Sequence, residues 1–305
     1  YGGDTAVDSF DQIILRNGSH DAIFHEGYPR PRNGAFVRNR YYFDRQLEMG
    51  HPSLRGKFVH VYLNGVYYGH YHLMERPNAD HMATHYGGEE EDYDVMKGRS
   101  GISAAQGNQT AWNSMVASAG DFEAIQDYMD VDNYIDYMLL NFYGGNDHDW
   151  YPQHNWVASR KREEGSKFKF FMWDNDFLNR RQPTVNSVDN GGPGNMFNTL
   201  KNDAEFQIRM ADRAQRHFFN GGMLTKERVE SDFNELGSRL SSSIIPETAR
   251  WGNSNSAFYT PTTFENAIDW LATGFAANRT GTVIQQMRSA RVFPNTAASS
   301  FSQHG

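Results

Sequence analysis

Residues 141–177, NFYGGNDHDWYPQHNWVASRKREEGSKFKFFMWDNDF, decide how the chain is read. The centre of this stretch has the pattern of a β-hairpin. Asn155 to Arg160 form one arm, the polar run Lys161 to Ser166 is the turn, and Lys167 to Trp173 return. The return arm is strongly aromatic and the first is partly β-branched or aromatic, a composition that suits strands laid on a core. Pairing the arms symmetrically about the turn sets Asn155 beside Asp174 and Asp176. Asp149, six residues before Asn155, hangs over the same open end. Three carboxylates and an amide oxygen then converge from two separated pieces of sequence.

Crowded carboxylates disfavour one another's ionised forms, so their convergence needs a cause. Hard cations such as Mg²⁺ or Ca²⁺ take oxygen ligands from Asp and Asn. Alternatively, one Asp acts as a base while another holds a metal that carries phosphate. The plainer alternative is a solvated hairpin end, where Asp and Asn are ordinary turn residues. Trp150, Trp156 and Trp173 flank the polar residues with bulk able to exclude water.

The 305 residues suffice for one large domain or two lobes. Aromatics make up 14% of the chain against 38% hydrophobic residues, so the core is expected to be rich in Phe and Tyr. A net charge of −8 argues against nucleic acid as partner. No apolar run approaches the roughly 20 residues that span a bilayer. Cysteine is absent, which removes thiolate metal sites and leaves the redox compartment open. The chain starts at a tyrosine and ends in a polar tail, as expected of a processed or excised piece of a longer protein.

Around the hairpin the pattern alternates between strands and helices. Phe10 to Leu15 read as a strand ending at Arg16-Asn17-Gly18, and residues 34–49 as a helix whose Arg38, Arg40 and Arg45 are solvated. Residues 56–76 form a hairpin about Asn64-Gly65, with His70 and His72 on its outer face. Asn78 caps a short helix through His85. His81 and His85 stand four apart, but the metalloprotease pattern needs a Glu where Met82 stands. Tyr93 to Gly98 read as an edge strand, residues 98–107 as loop, and Thr110–Gly120 and Phe122–Met129 as helices. Asp132 caps an apolar helix, Tyr134–Tyr143. Residues 179–198 form a long irregular segment with the character of a lid or activation loop. Helices follow at Glu205–Phe219 and Thr225–Ser241, then a break at Pro246, then Pro261–Thr273 and Arg279–Ala290, with Trp251, Phe264, Trp270 and Phe275 as core.

Four motifs in order carry a resemblance: VYLNGVYYGHYHLMER at 61–76, VDNYIDYM at 131–138, NDHDW at 146–150 and WDNDF at 173–177. Together they resemble the spore-coat CotH kinase family over most of residues 10–180. RAQRHFFNGG at 213–222 and ARWG at 249–252 look like the helical extension of its large secreted bacterial members. The resemblance implies an α+β, atypical protein-kinase-like fold: a small antiparallel-sheet lobe lacking its N-terminal part, and a larger, mostly helical lobe. Residues 1–98 would be the small lobe, with a hinge near 73–77. Residues 99–200 would be the core of the large lobe with the catalytic hairpin and following loop, and 201–305 its helical extension. It also implies ATP, Mg²⁺ or Mn²⁺ (with Ca²⁺ as an alternative ion), and transfer of the γ-phosphoryl group to a Ser or Thr hydroxyl of a protein substrate. Asp149 would match the base, and Asn155, Asp174 and Asp176 the metal ligands. Leu73, Met74 and Glu75 would meet the adenine.

Two departures stand beside the resemblance. The step from Asp149 to Asn155 is one residue longer than in common kinase catalytic loops, with His154 at the usual place. The family's upstream Arg-Gly-x-Ser segment and its following Lys are not in this sequence: either they belong to a longer parent chain, or another segment such as Lys97 substitutes in holding phosphate, or phosphate binding is impaired. The leading expectation is an extracellular or spore-surface bacterial kinase domain, with other domains in a longer parent chain. A catalytically silent domain holding a structural Ca²⁺ is the second. A glycoside hydrolase using two of the three aspartates is the third, and the close Asp-x-Asp pair disfavours it.

Overall fold

The computed structural model describes residue 7 and residues 12–23, 34–98, 101–146, 154–254 and 257–296. Asp149, Trp150 and the loop at 27–32 lie outside these. Strand β1 (Ile13–Arg16) precedes helix α1 (Arg38–Glu48), which Gly50 terminates in a left-handed conformation (φ 87°). β2 (Gly56–Leu63) and β3 (Val66–Glu75) follow, joined by Asn64 and Gly65, both at positive φ as a tight hairpin turn requires. The first sheet is antiparallel in the order β1-β3-β2.

The inner face of this sheet carries Phe58, His70, His72 and Met74. His70 and His72 are buried, not on the outer face as their polarity suggested. His70 lies against Phe36 and Phe58 and His72 against Phe58, so both serve as flat packing groups. Burial pushes the His70 imidazole down to about 4, keeping it neutral there.

Asn78 accepts the His81 N–H (3.0 Å) and starts α2 (Ala79–Tyr86). A second antiparallel sheet follows in the order β5-β4-β6-β7, built from β4 (Tyr93–Gly98), β5 (Ile102–Gln106), β6 (Trp156–Lys161) and β7 (Lys169–Phe171). β4 is internal, not an edge, because the expected loop at 98–107 supplies β5 beside it. The alternation Ile-Ser-Ala-Ala-Gln was too weakly apolar to announce a strand. The sheet has two buried faces. Met96, Trp156, Ala158 and Phe170 turn to the main core, while Tyr93, Val95, Val157 and Phe171 pack on Ala79 and Met82 of α2.

Between β5 and β6 come α3 (Thr110–Ala117), the short α4 (Phe122–Ile125) and α5 (Val131–Gly144). α5 is buried almost all round, as a helix through the middle of a core must be. Its cap is Asp130, which accepts the Asn133 N–H (3.1 Å), not Asp132. The one carboxylate deep in α5, Asp136, accepts from His51 (2.7 Å), His217 (3.0 Å) and Arg213. Arg213 and His217, four apart on one helix face, thereby tie the helical extension to the centre.

After β7 the chain continues through α6 (Phe197–Leu200), α7 (Ala204–Phe218), α8 (Lys226–Leu240), α9 (Ile244–Trp251), α10 (Pro261–Asp269), a π-helical turn at Trp270–Phe275 and α11 (Ala276–Ser289). Pro246 does not break a helix. It sits in the first turn of α9, where no intrahelical N–H is needed. Phe264 and Phe275 are core, whereas Trp251 and Trp270 are only partly buried and donate their indole N–H to Tyr68 O (2.6 Å) and Asn179 O (3.0 Å).

The irregular segment at 179–198 is fastened down, unlike a lid. Arg279 of α11, fully buried, donates to the carbonyls of Phe142, Tyr143 (2.8 Å), Pro183 (2.6 Å) and Val185 (2.7 Å). Gln286 adds bonds to Thr184 O and Val185 O, both 3.0 Å. Burial lowers the Arg279 pKa to about 10, so it remains a cation at neutral pH and four carbonyl dipoles surround it. Arg279→Met should strand those carbonyls and cost about 3 kcal/mol or more in urea unfolding. Hydrogen exchange should rise first in residues 183–185; an unchanged denaturation midpoint would contradict this role.

Candidate active site

The observed ladder pairs Val157 with Phe171 and Ser159 with Lys169. Counted outward, that register sets Asn155 opposite Trp173, with Asp174 one residue further along. Asn155 and Asp174 both take left-handed backbone (φ 50° and 57°), a conformation short polar side chains tolerate and most others resist. At Asp174 this turns the chain out of β7 into a 3₁₀ turn, Asn175–Phe177. Non-glycine residues held in that region collect at functional sites.

α1 fixes the segment from β7 onward through one polar stripe. Gln46 donates to Phe170 O (2.8 Å) and accepts from Met172 N–H (2.9 Å), pairing with the edge of β7 as a neighbouring strand would. Tyr42 donates to Asn179 (2.8 Å). Asn39 accepts the Asn175 N–H (2.8 Å) and donates to the Asp176 carboxylate. Asn39, Tyr42 and Gln46 are spaced i, i+3, i+7, so a single helix face holds residues 170–179 in place. Arg38 pairs with Asp21, whose carboxylate also accepts the N–H groups of Ala35 (3.0 Å) and Arg38 (3.1 Å) and so covers the helix start.

Asp174 and Asp176 converge on the guanidinium of Arg16, at the end of β1. The two carboxylates therefore point to one spot, and a cation fills it. Arg16 had no signal in the sequence beyond ending a strand, and nothing in the sequence singled out Asn39. The arginines of α1 are not solvated as expected: Arg38, Arg40 and Arg45 are all buried. Arg40 reaches Leu54 O (2.9 Å) and Asp44, and Arg45 reaches Asp232 and Glu48. Acceptors brought from other segments (Asp21, Leu54 O and Asp232) made burial of these groups feasible, which no local pattern announces.

A family model described as CotH kinase protein matches residues 7–283. The chain belongs to the CotH kinase family. No curated protein matches it. The mixed fold, with two small antiparallel sheets and a predominance of helix, agrees with the kinase-like architecture expected of a CotH kinase-family member.

The remaining expected site residues are spread over this CotH kinase-family fold. Leu73 and Met74 lie between β1 and β2, paired with Leu15 and Lys57 and with Ile14 and Gly56. Their main-chain groups face strands on both sides, so any contact with an adenine falls to side chains. The Glu75 carboxylate turns away into a cluster of its own, accepting from Arg55 N–H (2.7 Å) and bonded to His85 Nε2 (2.8 Å), with His81 Nδ1 at 3.7 Å. Lys97 is half-buried on β4, in the same ladder row as Val157; burial lowers its pKa, and Arg76 nearby adds to the effect.

The carboxyl of Asp176 is perturbed. Burial pushes it up, Arg16 opposes, and Asp174 beside it pushes it up again, to about 7. A carboxyl whose folded pKa lies above its unfolded value binds an extra proton in the native state between the two. Stability should therefore fall as pH rises from about 4 to about 7, with a slope of up to about 1.4 kcal/mol per pH unit from this group. In Asp176→Asn that component of the melting-temperature profile should vanish; an identical profile in the variant would assign the slope elsewhere.

Proposed function

We propose that this domain is a phosphotransferase that, with ATP and Mg²⁺ or Mn²⁺, passes the γ-phosphoryl group to a Ser or Thr hydroxyl of a secreted or surface protein. The convergence of Asp174 and Asp176 on one cation carries the proposal. Two carboxylates from an Asp-x-Asp turn, backed by Asn39 and with Asn155 across the hairpin, are a hard-oxygen donor set of the kind that suits Mg²⁺. Asp174, Asp176 and Asn155 would hold that ion. Its contribution would be to neutralise charge on the phosphates.

The chain's own groups perform the rest. Asn39 fixes the orientation of Asp176, and the left-handed backbone at Asp174 aims the second carboxylate at the same spot. Asp149 would position the acceptor hydroxyl and take its proton. Lys97 would meet phosphate oxygens, its half-burial strengthening the attraction by thinning the water around it. Arg16 must leave the carboxylates when they take a metal, and a guanidinium released there is placed to meet phosphate oxygens.

The same contact favours a second possibility. A domain that keeps its aspartates closed on Arg16 would be kinase-like in fold and silent in catalysis. Thermal shift with ATP and Mg²⁺ or Mn²⁺ separates the two. Active binding should raise apparent stability by about 2.7 kcal/mol at a hundredfold excess over the dissociation constant, and Asp174→Asn should abolish the rise. If the wild-type chain ignores metal and nucleotide while Arg16→Gln responds to Mg²⁺ alone, the silent domain is the better account.

A further inference from the structure

We propose that Glu75, His81 and His85 form a binding site for a divalent transition-metal ion of the zinc class, separate from the carboxylates at Asp174 and Asp176. Glu75 closes β3, Pro77 ends the strand, and the Asn78 cap launches α2 at once. That short connection folds the first turns of α2 back over the strand end. His81 and His85, one helical turn apart, then face the Glu75 carboxylate. Their ring centroids are 4.6 Å apart.

The distances suit an ion. One donor atom from each residue lies within 4.8 Å of the others, with Glu75 Oε1 2.8 Å from His85 Nε2 and Glu75 Oε2 3.7 Å from His81 Nδ1. Tetrahedral zinc, with bonds of about 2.0–2.1 Å, sets neighbouring donors roughly 3.4 Å apart. The two short separations, one from each oxygen of the Glu75 carboxylate, bracket that figure, so rotations of the carboxylate and the rings on the order of 1 Å bring one oxygen and both nitrogens to it. Two imidazoles and one carboxylate make up a recurrent zinc donor set that leaves a fourth position open. Nitrogen donors also distinguish this site from the oxygen-only set at Asp174 and Asp176, which suits hard ions.

An independent observation points the same way. His81 is buried, its Nε2 has no hydrogen-bond partner among the described residues, and its Nδ1 stands too far from Glu75 for a hydrogen bond. A buried imidazole short of polar partners is costly, and a metal ion at Nδ1 would give the ring one, with its proton held on Nε2. The carboxylate is already oriented, because the Arg55 main-chain N–H holds Glu75 Oε2 at 2.7 Å, the kind of outer support that metal-binding carboxylates receive.

Arg55 also sets a constraint. Its Nη1 lies 3.3 Å from His85 Nδ1, and a guanidinium can only donate. Without metal, His85 therefore accepts at Nδ1 and donates from Nε2 to Glu75. To ligate through Nε2 the ring must carry its proton on Nδ1, and the Arg55 guanidinium must turn aside. Arg55 thus weakens the site, and Arg55→Gln, which can accept from Nδ1–H, should tighten it several-fold.

Co²⁺ titration of the full chain, followed by visible absorption and then by Zn²⁺ displacement, tests the assignment. The expected result is one ion with the intense spectrum of tetrahedral cobalt, displaced by Zn²⁺. His85→Gln should lose at least about tenfold in affinity, and Asp174→Asn should leave it unchanged. His81→Gln should behave as His85→Gln does; because His81 is buried, its metal-free melting curve is recorded alongside, and His85→Gln decides if that variant is unfolded. Absence of Co²⁺ binding by the wild-type chain, binding unaffected by His85→Gln, or weaker binding in Arg55→Gln would overturn the proposal.

Discussion

The site depends on one constraint: the unpaired edge of β7 has to be satisfied inside the protein. Buried backbone groups cost free energy unless they find partners, and β7 lies at the end of its sheet with a helix, not a strand, beside it. Gln46 supplies an amide that pairs with Phe170 and Met172 as a backbone would. Asn133 of α5 works on the same residue, accepting the Phe170 N–H at 2.6 Å. Since Asn39 lies two helical turns before Gln46 on the same face of α1, the groups that seal the strand edge also fix the Asp176 carboxylate. Docking of α1 and geometry of the aspartates are one arrangement.

The buried charges follow from that docking. α1 brings Arg38, Arg40 and Arg45 into the interior, and each meets an acceptor contributed by other parts of the chain: Asp21, Leu54 O, Asp232. Desolvating a guanidinium is expensive, and the cost is offset only where geometry supplies complementary partners. Such pairs fix where elements sit more than they raise stability. Asp136, held by His51 and by Arg213 and His217 of α7, does the same for α5 and α7. The helical extension is thereby tied to the site from behind, through Asp136 and through the carbonyls gathered by Arg279.

At the site, Arg16 makes chemical sense of two adjacent carboxylates. Neighbouring anions raise one another's pKa values, and burial raises them further. A cation between them relieves both effects. In the structure that cation is the guanidinium of Arg16, brought by β1 from more than 150 residues away in sequence.

Much of the fold was legible locally. The Asn64-Gly65 hairpin, the 155–173 hairpin and the main helices carry periodicity and turn chemistry within their own windows, and the four ordered motifs led to the family. The Asp-x-Asp pair was visible because hairpin symmetry is itself local. What no window contained were the partners. Arg16 at Asp174 and Asp176, Asn39 at Asp176, the burial of Arg38, Arg40 and Arg45, and the meeting of Glu75 with His81 and His85 all depend on where separate elements come to rest. A side chain's neighbours across tertiary contacts, and so its burial and its charge state, are set by packing and not by sequence spacing. By itself the sequence determined most of the strands, helices and turns, though not β5, and that Asp174 and Asp176 gather at one hairpin end. Only the tertiary structure decided which cation meets them, because that cation arrives from a different sheet.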